Sequence, residues 1–265
     1  MMKKSIRAVF FTLLAAFLAA MAVMHSGSAF AAYSRESYGW YCKRTGHDTP
    51  ILESRFSFIS DHGGYFLGDP REKVLYLTFD AGYENGNIER ILDTLKKHEV
   101  KGAFFILDNL IRRNTDLVVR MAEEGHTVCN HTAKHKDMTK VTDRAEFEKE
   151  LTALSSVYHE LTGHKMAKYY RPPEGKFSEE NLAFADALGY KTIFWSFAYA
   201  DWDNGKQPDP QKAVKLILEN THNGAVILLH PTSKTNADIL ETLILEWKKQ
   251  GYRFGTLDEL CTSGG

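Results

Sequence analysis

The chain has no excess charge of either sign: 33 Lys and Arg face 34 Asp and Glu, a formal net charge of -1. That balance excludes the basic footprint by which proteins hold nucleic acid. Cysteine is scarce as well. Cys42, Cys129 and Cys261 are an odd number and cannot all pair, so a disulfide framework is excluded, and a chain of 265 residues needs none to build a core. They read as isolated thiols; a bond between Cys42 and Cys261, tying the two ends together, is the alternative.

What is present begins with a leader. Lys3, Lys4 and Arg7 precede an apolar run from Ala8 to Met24, and Ala29-Phe30-Ala31 offers small residues for cleavage. Residues 1–31 therefore read as a signal peptide, cleaved after Ala31, of an exported protein. An uncleaved anchor needs roughly 20 apolar residues and suits the run less well. Residues 32–71 keep neither a helical nor a strand period and read as an irregular N-terminal arm.

From Lys73 the pattern changes. Val74 to Phe79 is a short β-branched and aromatic run that reads as a buried strand, and similar runs recur at Ala103 to Leu107, Thr192 to Trp195 and Ala225 to Leu229. Amphipathic helices lie between them. Ile88, Ile91, Leu92 and Leu95 fall on one helical face, as do Leu240, Leu243, Ile244 and Trp247, and Leu151, Leu154, Tyr158 and Leu161 make a third stripe. Asp143 to Glu146 is a capping-box pattern, Asp209-Pro210 an N-cap followed by proline, and Gly125, Gly163, Gly189 and Gly251 each follow a helical stretch. Strands alternating with helices imply α/β architecture with a parallel sheet and right-handed crossovers, and about seven strands suit a barrel better than a small open sheet.

In such folds the site gathers at the C-terminal ends of strands. Five polar segments stand there: Thr78-Phe79-Asp80-Ala81-Gly82, Asn130 to His135, Arg171-Pro172-Pro173-Glu174-Gly175, Asp201-Trp202, and Leu228-Leu229-His230. His131 and His135, four apart, are placed to face one another across a helical turn and offer two imidazoles to one metal. Among 11 histidines that spacing also arises by chance, and alone it fits a solvated or core-satisfied pair. Asp80 follows an apolar strand, where a carboxylate is either partnered or functional. It stands too far before Asn87 to cap the helix that starts there. His230 ends an apolar run in the same way, and imidazole is the usual acid near neutral pH. Arg171 and Asp201 read as their orienting partners.

In this order the five segments resemble the motif set of the polysaccharide deacetylases, the NodB-homology proteins of carbohydrate esterase family 4, over about Lys73 to Leu260. Gly82-Tyr83-Glu84-Asn85-Gly86, the Arg-Pro-Pro segment, Asp201-Trp202 and the arm's Gly39 to Arg44 are most similar to the sporulation branch that de-N-acetylates muramic acid on the way to muramic δ-lactam. The resemblance implies a distorted (β/α) barrel of seven strands over residues 72–262. It implies Asp80 as general base, His230 as general acid, Arg171 orienting the base, Asp201 tuning the acid, and Glu174 and Trp202 lining the sugar site. It further implies a divalent metal, zinc, on His131 and His135, and a backbone N–H after Pro173 as oxyanion donor. Partners implied are peptidoglycan glycan strands and an amidase that strips the peptide, for a monomer acting in the cell wall or spore envelope.

One more absence matters. Most of the family carries a second aspartate after the base as third metal ligand; here the residue is Ala81, which coordinates nothing, so the ion is expected to be held weakly. Where tyrosine is common in the third segment, Glu174 stands. The alternatives are a deacetylase of N-acetylglucosamine polymers, chitin or peptidoglycan, and a non-catalytic glycan-binding relative. Ala81 favours the last, whereas Asp80, Arg171, Asp201 and His230 together serve catalysis and not mere binding.

Overall fold

The run Val74–Ala81 is the central strand of the computed structural model, which describes residues 33–263; the leader read at 1–31 lies outside them. In chain order the strands are β1 (Tyr38–Gly39), β2 (Gly64–Tyr65), β3 (Val74–Ala81), β4 (Ala103–Ile106), β5 (Thr127–Asn130), β6 (Tyr169–Tyr170), β7 (Lys176–Phe177), β8 (Lys191–Ile193), β9 (Val226–Leu229) and β10 (Arg253–Phe254). All but β1 and β7 join one sheet in the order β10-β3-β4-β5-β6-β8-β2, with β9 also on β3, and every pairing in it is parallel. A parallel bridge from Phe197, just past β8, to Ile227 in β9 brings the two flanks together. The sheet is thus curled into a distorted barrel, and the α/β reading holds.

The alternation of β3 decides what faces where. Leu75, Leu77, Phe79 and Ala81 are buried in the cluster that also holds Ile88, Ile91, Leu92 and Leu95 of the helix Ile88–Lys97 and Leu240, Leu243, Ile244 and Trp247 of the helix Lys234–Lys249. Each large side chain covered in this way contributes about 1.5–3 kcal/mol. Val74 and Tyr76 face a second cluster with Phe105, Cys129 and Ile193. Because successive side chains alternate, Thr78 and Asp80 share that inner face.

The local signals behave as their chemistry requires. Asp143 accepts the Glu146 N–H at 2.9 Å to open the helix Arg144–Thr162, and Asp209 accepts the Lys212 N–H at 2.9 Å ahead of Pro210. Such a cap is worth about 1 kcal/mol. The first of these helices ends at Gly163, where φ is 75° and only glycine is unstrained. Leu161 departs from expectation: it is 39% exposed, because the stripe ends at Tyr158 and the last turn projects past the packed face. All three cysteines are free.

The arm is more ordered than its sequence implies. β1 pairs antiparallel with β7, β2 parallel with β8, and Trp40, Phe56 and Ile59 are buried with Phe177, Leu182 and Phe194. Two-residue strands are too short to show a period, so their order comes from partners distant in sequence.

Candidate active site

Asp80 stands one residue before the end of β3, with its carboxylate on the inner face. One oxygen, Oδ1, accepts from Arg171 Nη1 at 2.8 Å. Arg171 is fully buried and every group on its fork is used: Nε donates to the Ile193 carbonyl at 2.9 Å, and Nη2 to Thr78 Oγ1 at 2.9 Å and to the Phe194 carbonyl at 3.1 Å. The guanidinium also lies 4.2 Å from the Phe105 ring centroid. Burial works against ionisation of Asp80, but the charge and hydrogen bond of Arg171, with the pull of the nearby His131 and His230 rings, outweigh it and hold its pKa below the ordinary carboxylate value. Asp80 is therefore a carboxylate throughout the neutral range.

His131 and His135 do come together, but not across a helical turn. They lie in the loop that leaves β5, with Thr132 at φ 71° and His135 at φ 53°, values no helix contains. Side chains hold this shape: Asn130 Oδ1 accepts the Thr132 N–H at 2.9 Å, Thr132 Oγ1 the His135 N–H at 3.0 Å, and Glu150 Oε2 the Lys134 N–H at 3.2 Å. The two rings stand 5.0 Å apart at 69°. His131 Nδ1 lies 2.9 Å from the Arg171 carbonyl, which only accepts, so the proton is on Nδ1 and Nε2 keeps its lone pair, 3.6 Å from Asp80 Oδ2. Burial pushes the His131 pKa down to about 4 against the pull of Asp80.

That donor chemistry fits a divalent ion. A neutral imidazole with its second nitrogen tied to a backbone carbonyl is the usual form of a metal-ligating histidine. The fit is sparse: among the described residues no set of three or more His, Cys, Asp and Glu is arranged to hold an ion. Ala81 is fully buried in the helix-facing cluster and offers no donor.

On the other flank His230 follows β9. Its Nδ1 meets Asp201 Oδ1 at 2.7 Å, and its backbone N–H donates to Asp201 Oδ2 at 2.9 Å. Asn236 completes the clamp, its Nδ2 donating to Asp201 Oδ2 at 2.6 Å and to the His230 carbonyl at 3.0 Å, while its oxygen accepts from the Tyr199 hydroxyl. Burial disfavours the charged ring, but the hydrogen bond and charge of Asp201, joined by Asp80, outweigh it and raise the His230 pKa. With Nδ1 engaged, Nε2 is the nitrogen free to hand over a proton.

Asp80, His131, His135, Glu174, Trp202 and His230 line one cleft of about 770 Å³, with Arg171 and Asp201 directly behind it. Glu174 sits in the short 3-10 turn Pro173–Gly175 at φ 56°, its carboxylate 2.6 Å from Lys176 Nζ. A non-glycine residue held in that region is strained, and such strain gathers at functional sites. Sequence reasoning quotes Thr78 and Trp40 within motifs without giving either a role, and it assigns none to Asn236, Trp195 or Tyr199. Thr78 was within reach, since it shares the inner face with Asp80; nothing in the sequence singles out Asn236, six residues past His230 inside a helix.

Comparison with known proteins follows the same lines. The polysaccharide deacetylase family model matches residues 67–193. The peptidoglycan-N-acetylmuramic acid deacetylase PdaA of Bacillus subtilis (strain 168) is 38% identical over 231 residues, 86% of this chain and 88% of that protein. The solved structure of Bacillus subtilis PdaA, a family 4 carbohydrate esterase, aligns with a TM-score of 0.84 at 37% identity over 88% of this chain and 100% of that one. A family 4 carbohydrate esterase from Bacillus anthracis aligns with a TM-score of 0.74 at 37% identity over 88% and 99%. The chain belongs to the polysaccharide deacetylases of carbohydrate esterase family 4, hydrolases of the amide carbon–nitrogen bond.

Proposed function

We propose that this protein is exported, with residues 1–31 removed as a signal peptide, and that residues 32–71 and 72–262 then act together as a monomer that de-N-acetylates N-acetylmuramic acid residues of peptidoglycan. The observation that carries the reading is a pair of buried ion contacts opposite one another in one cleft, Arg171 on Asp80 at 2.8 Å and Asp201 on His230 at 2.7 Å. Arg171 favours the carboxylate of Asp80, and Asp201 favours the protonated ring of His230. The choice of muramic acid rests on the likeness to PdaA, whose name states that substrate.

The chemistry needs both groups, because amide resonance makes the acetamide carbon a poor electrophile and water a poor nucleophile. Asp80 Oδ2, the oxygen not held by Arg171, takes the proton of the attacking water. His230 Nε2 gives a proton to the amine nitrogen as its bond to the acetyl carbon breaks, so acetate and a free amine leave. The Glu174 N–H, first past Pro173, donates to the oxygen on which negative charge develops. Proton transfer of this kind contributes about 10²- to 10⁴-fold. His131 and His135 would hold a divalent metal, zinc, which when bound supplies Lewis acidity toward the carbonyl and the water.

On peptidoglycan whose peptide an amidase has removed, the freed muramic amine lies beside its own lactyl carboxyl and closes to the δ-lactam of spore cortex with loss of water. Mass spectrometry of muropeptides tests this directly. Incubation of peptide-free glycan with the protein should lower the mass of muramic residues by one acetyl group, or by that and a water after closure. Loss of acetyl from glucosamine alone would favour the N-acetylglucosamine reading, and unchanged masses would favour the binding module.

The Asp201–His230 pair carries its own test. Activity should fall on the alkaline side of the pH–rate profile as His230 loses its proton, at a pH above that of an ordinary histidine because its pKa is raised. Asp201→Asn removes the anion that opposes burial, so the alkaline limb should move to lower pH. A limb that stays in place would uncouple the two residues.

A further inference from the structure

Hydrolysis of an acetamide divides the substrate in two: acetate departs on one side of the scissile bond, and the amine stays on the sugar. If His230 protonates the amine, as the proposed function has it, the sugar and the polymer it belongs to lie on the His230 flank of the cleft. That flank carries two aromatic rings open to solvent. Trp202 is 60% exposed with its ring 6.1 Å from that of His230, and Tyr83 is 42% exposed; both line the cleft.

The segment that carries Tyr83 is held by several bonds, of which the ring itself makes one. Asn204, two residues past Trp202, donates its side-chain N–H to the Tyr83 hydroxyl. Asn85 and Asn87 both donate to the carbonyl of Thr232, two residues past His230, at 2.8 and 3.1 Å. Asn109 donates to the Gly82 carbonyl at 3.2 Å, and Glu84 accepts the Ile88 N–H at 3.0 Å to start the next helix. An aromatic ring held in place loses little conformational freedom on binding, and its face accepts the apolar C–H surface of a pyranose.

We propose that Tyr83 is a specificity-determining residue: with Trp202 it forms a platform for the sugar next to the reacting one, so that the enzyme recognises an oligosaccharide and not a single acetylated sugar. The role of His230 as acid, part of the proposed function, fixes only which flank the sugar occupies. Two controls frame the test. Tyr41 is an exposed aromatic outside the cleft lining, and Tyr83→Phe keeps the ring while losing the hydroxyl.

The test compares a peptide-free disaccharide-repeat tetrasaccharide with free N-acetylmuramic acid. Tyr83→Ala should lower kcat/KM on the tetrasaccharide about tenfold, mainly through KM, and several-fold more than on the monosaccharide. Tyr83→Phe, which keeps the ring but gives up the Asn204 bond, should lose less on the tetrasaccharide than Tyr83→Ala, and Tyr41→Ala should match wild type. Calorimetry with the deacetylated tetrasaccharide, which requires no turnover, should show about tenfold weaker binding by Tyr83→Ala. Equal loss on the two substrates, or a tetrasaccharide affinity that Tyr83→Ala leaves unchanged, overturns the proposal. Should wild type turn over neither sugar, the proposed function fails on its own while calorimetry still decides for or against the platform; wild type that binds no tetrasaccharide decides against it.

Discussion

Asp80→Asn is expected to lower kcat by at least about 10³-fold while the protein stays folded. Asparagine keeps the volume and one carbonyl oxygen but accepts no proton near neutral pH, so the attacking water loses its base. The structural cost needs separate account, because Arg171 loses its counter-charge. Breaking a buried ion pair costs about 3–5 kcal/mol when the remaining charge is stranded. Here it is not wholly stranded: the asparagine oxygen still accepts from Nη1, and Thr78 Oγ1 and the Ile193 and Phe194 carbonyls still accept from the rest of the fork. A domain stable by about 5–15 kcal/mol survives a fraction of that cost. Acetate release against time measures the first effect, and circular dichroism with thermal melting the second. Turnover within about tenfold of wild type would remove Asp80 from the role of base.

The same carboxylate shows what a sequence can and cannot disclose. Asp80 and His230 were legible because each ends a run of apolar residues, and a polar group there has a physical reason to exist. The stripes Ile88 to Leu95 and Leu240 to Trp247 were legible because a period repeated over several turns is hard to produce by chance. The histidine loop was not. Its shape depends on Asn130, Thr132 and Glu150 supplying acceptors to backbone N–H groups, and a spacing of four is as compatible with a helical turn as with that loop. Asn236 was equally hidden: it reads as one more polar residue near a helix start, and its value lies wholly in where Asp201 is brought. The arm's order depends on β7, β8 and Phe194 arriving from far along the chain.

Arg171 binds these parts together. Its side chain holds Asp80, its carbonyl fixes the His131 tautomer, and its N–H donates to the Asn130 carbonyl at 3.0 Å. Asp80, the His131 ring and the start of the histidine loop are therefore all positioned by one residue, and each nitrogen of its fork has an acceptor. An error of geometry at Arg171 would be transmitted to all three.

The largest effect on metal affinity is expected from removing both imidazoles. Titration calorimetry with zinc should show weak binding by wild type, since only two protein nitrogens are offered, and His131→Ala, His135→Ala together should weaken it at least about hundredfold. Ala81→Asp should act in the opposite direction. An anionic donor at the end of β3 should tighten zinc about tenfold, equivalent to about 1.4 kcal/mol. It carries a cost that the structure makes plain, because Ala81 lies fully buried in the helix-facing apolar cluster beside Leu77 and Phe79. Without metal, a carboxylate there is desolvated and unpaired, so Ala81→Asp should melt below wild type and recover on adding zinc. Activity need not follow affinity, since added negative charge lowers the Lewis acidity of the ion and favours the protonated form of Asp80. Equal zinc affinity in wild type, Ala81→Asp and the double histidine variant would show that the ion does not sit between His131 and His135.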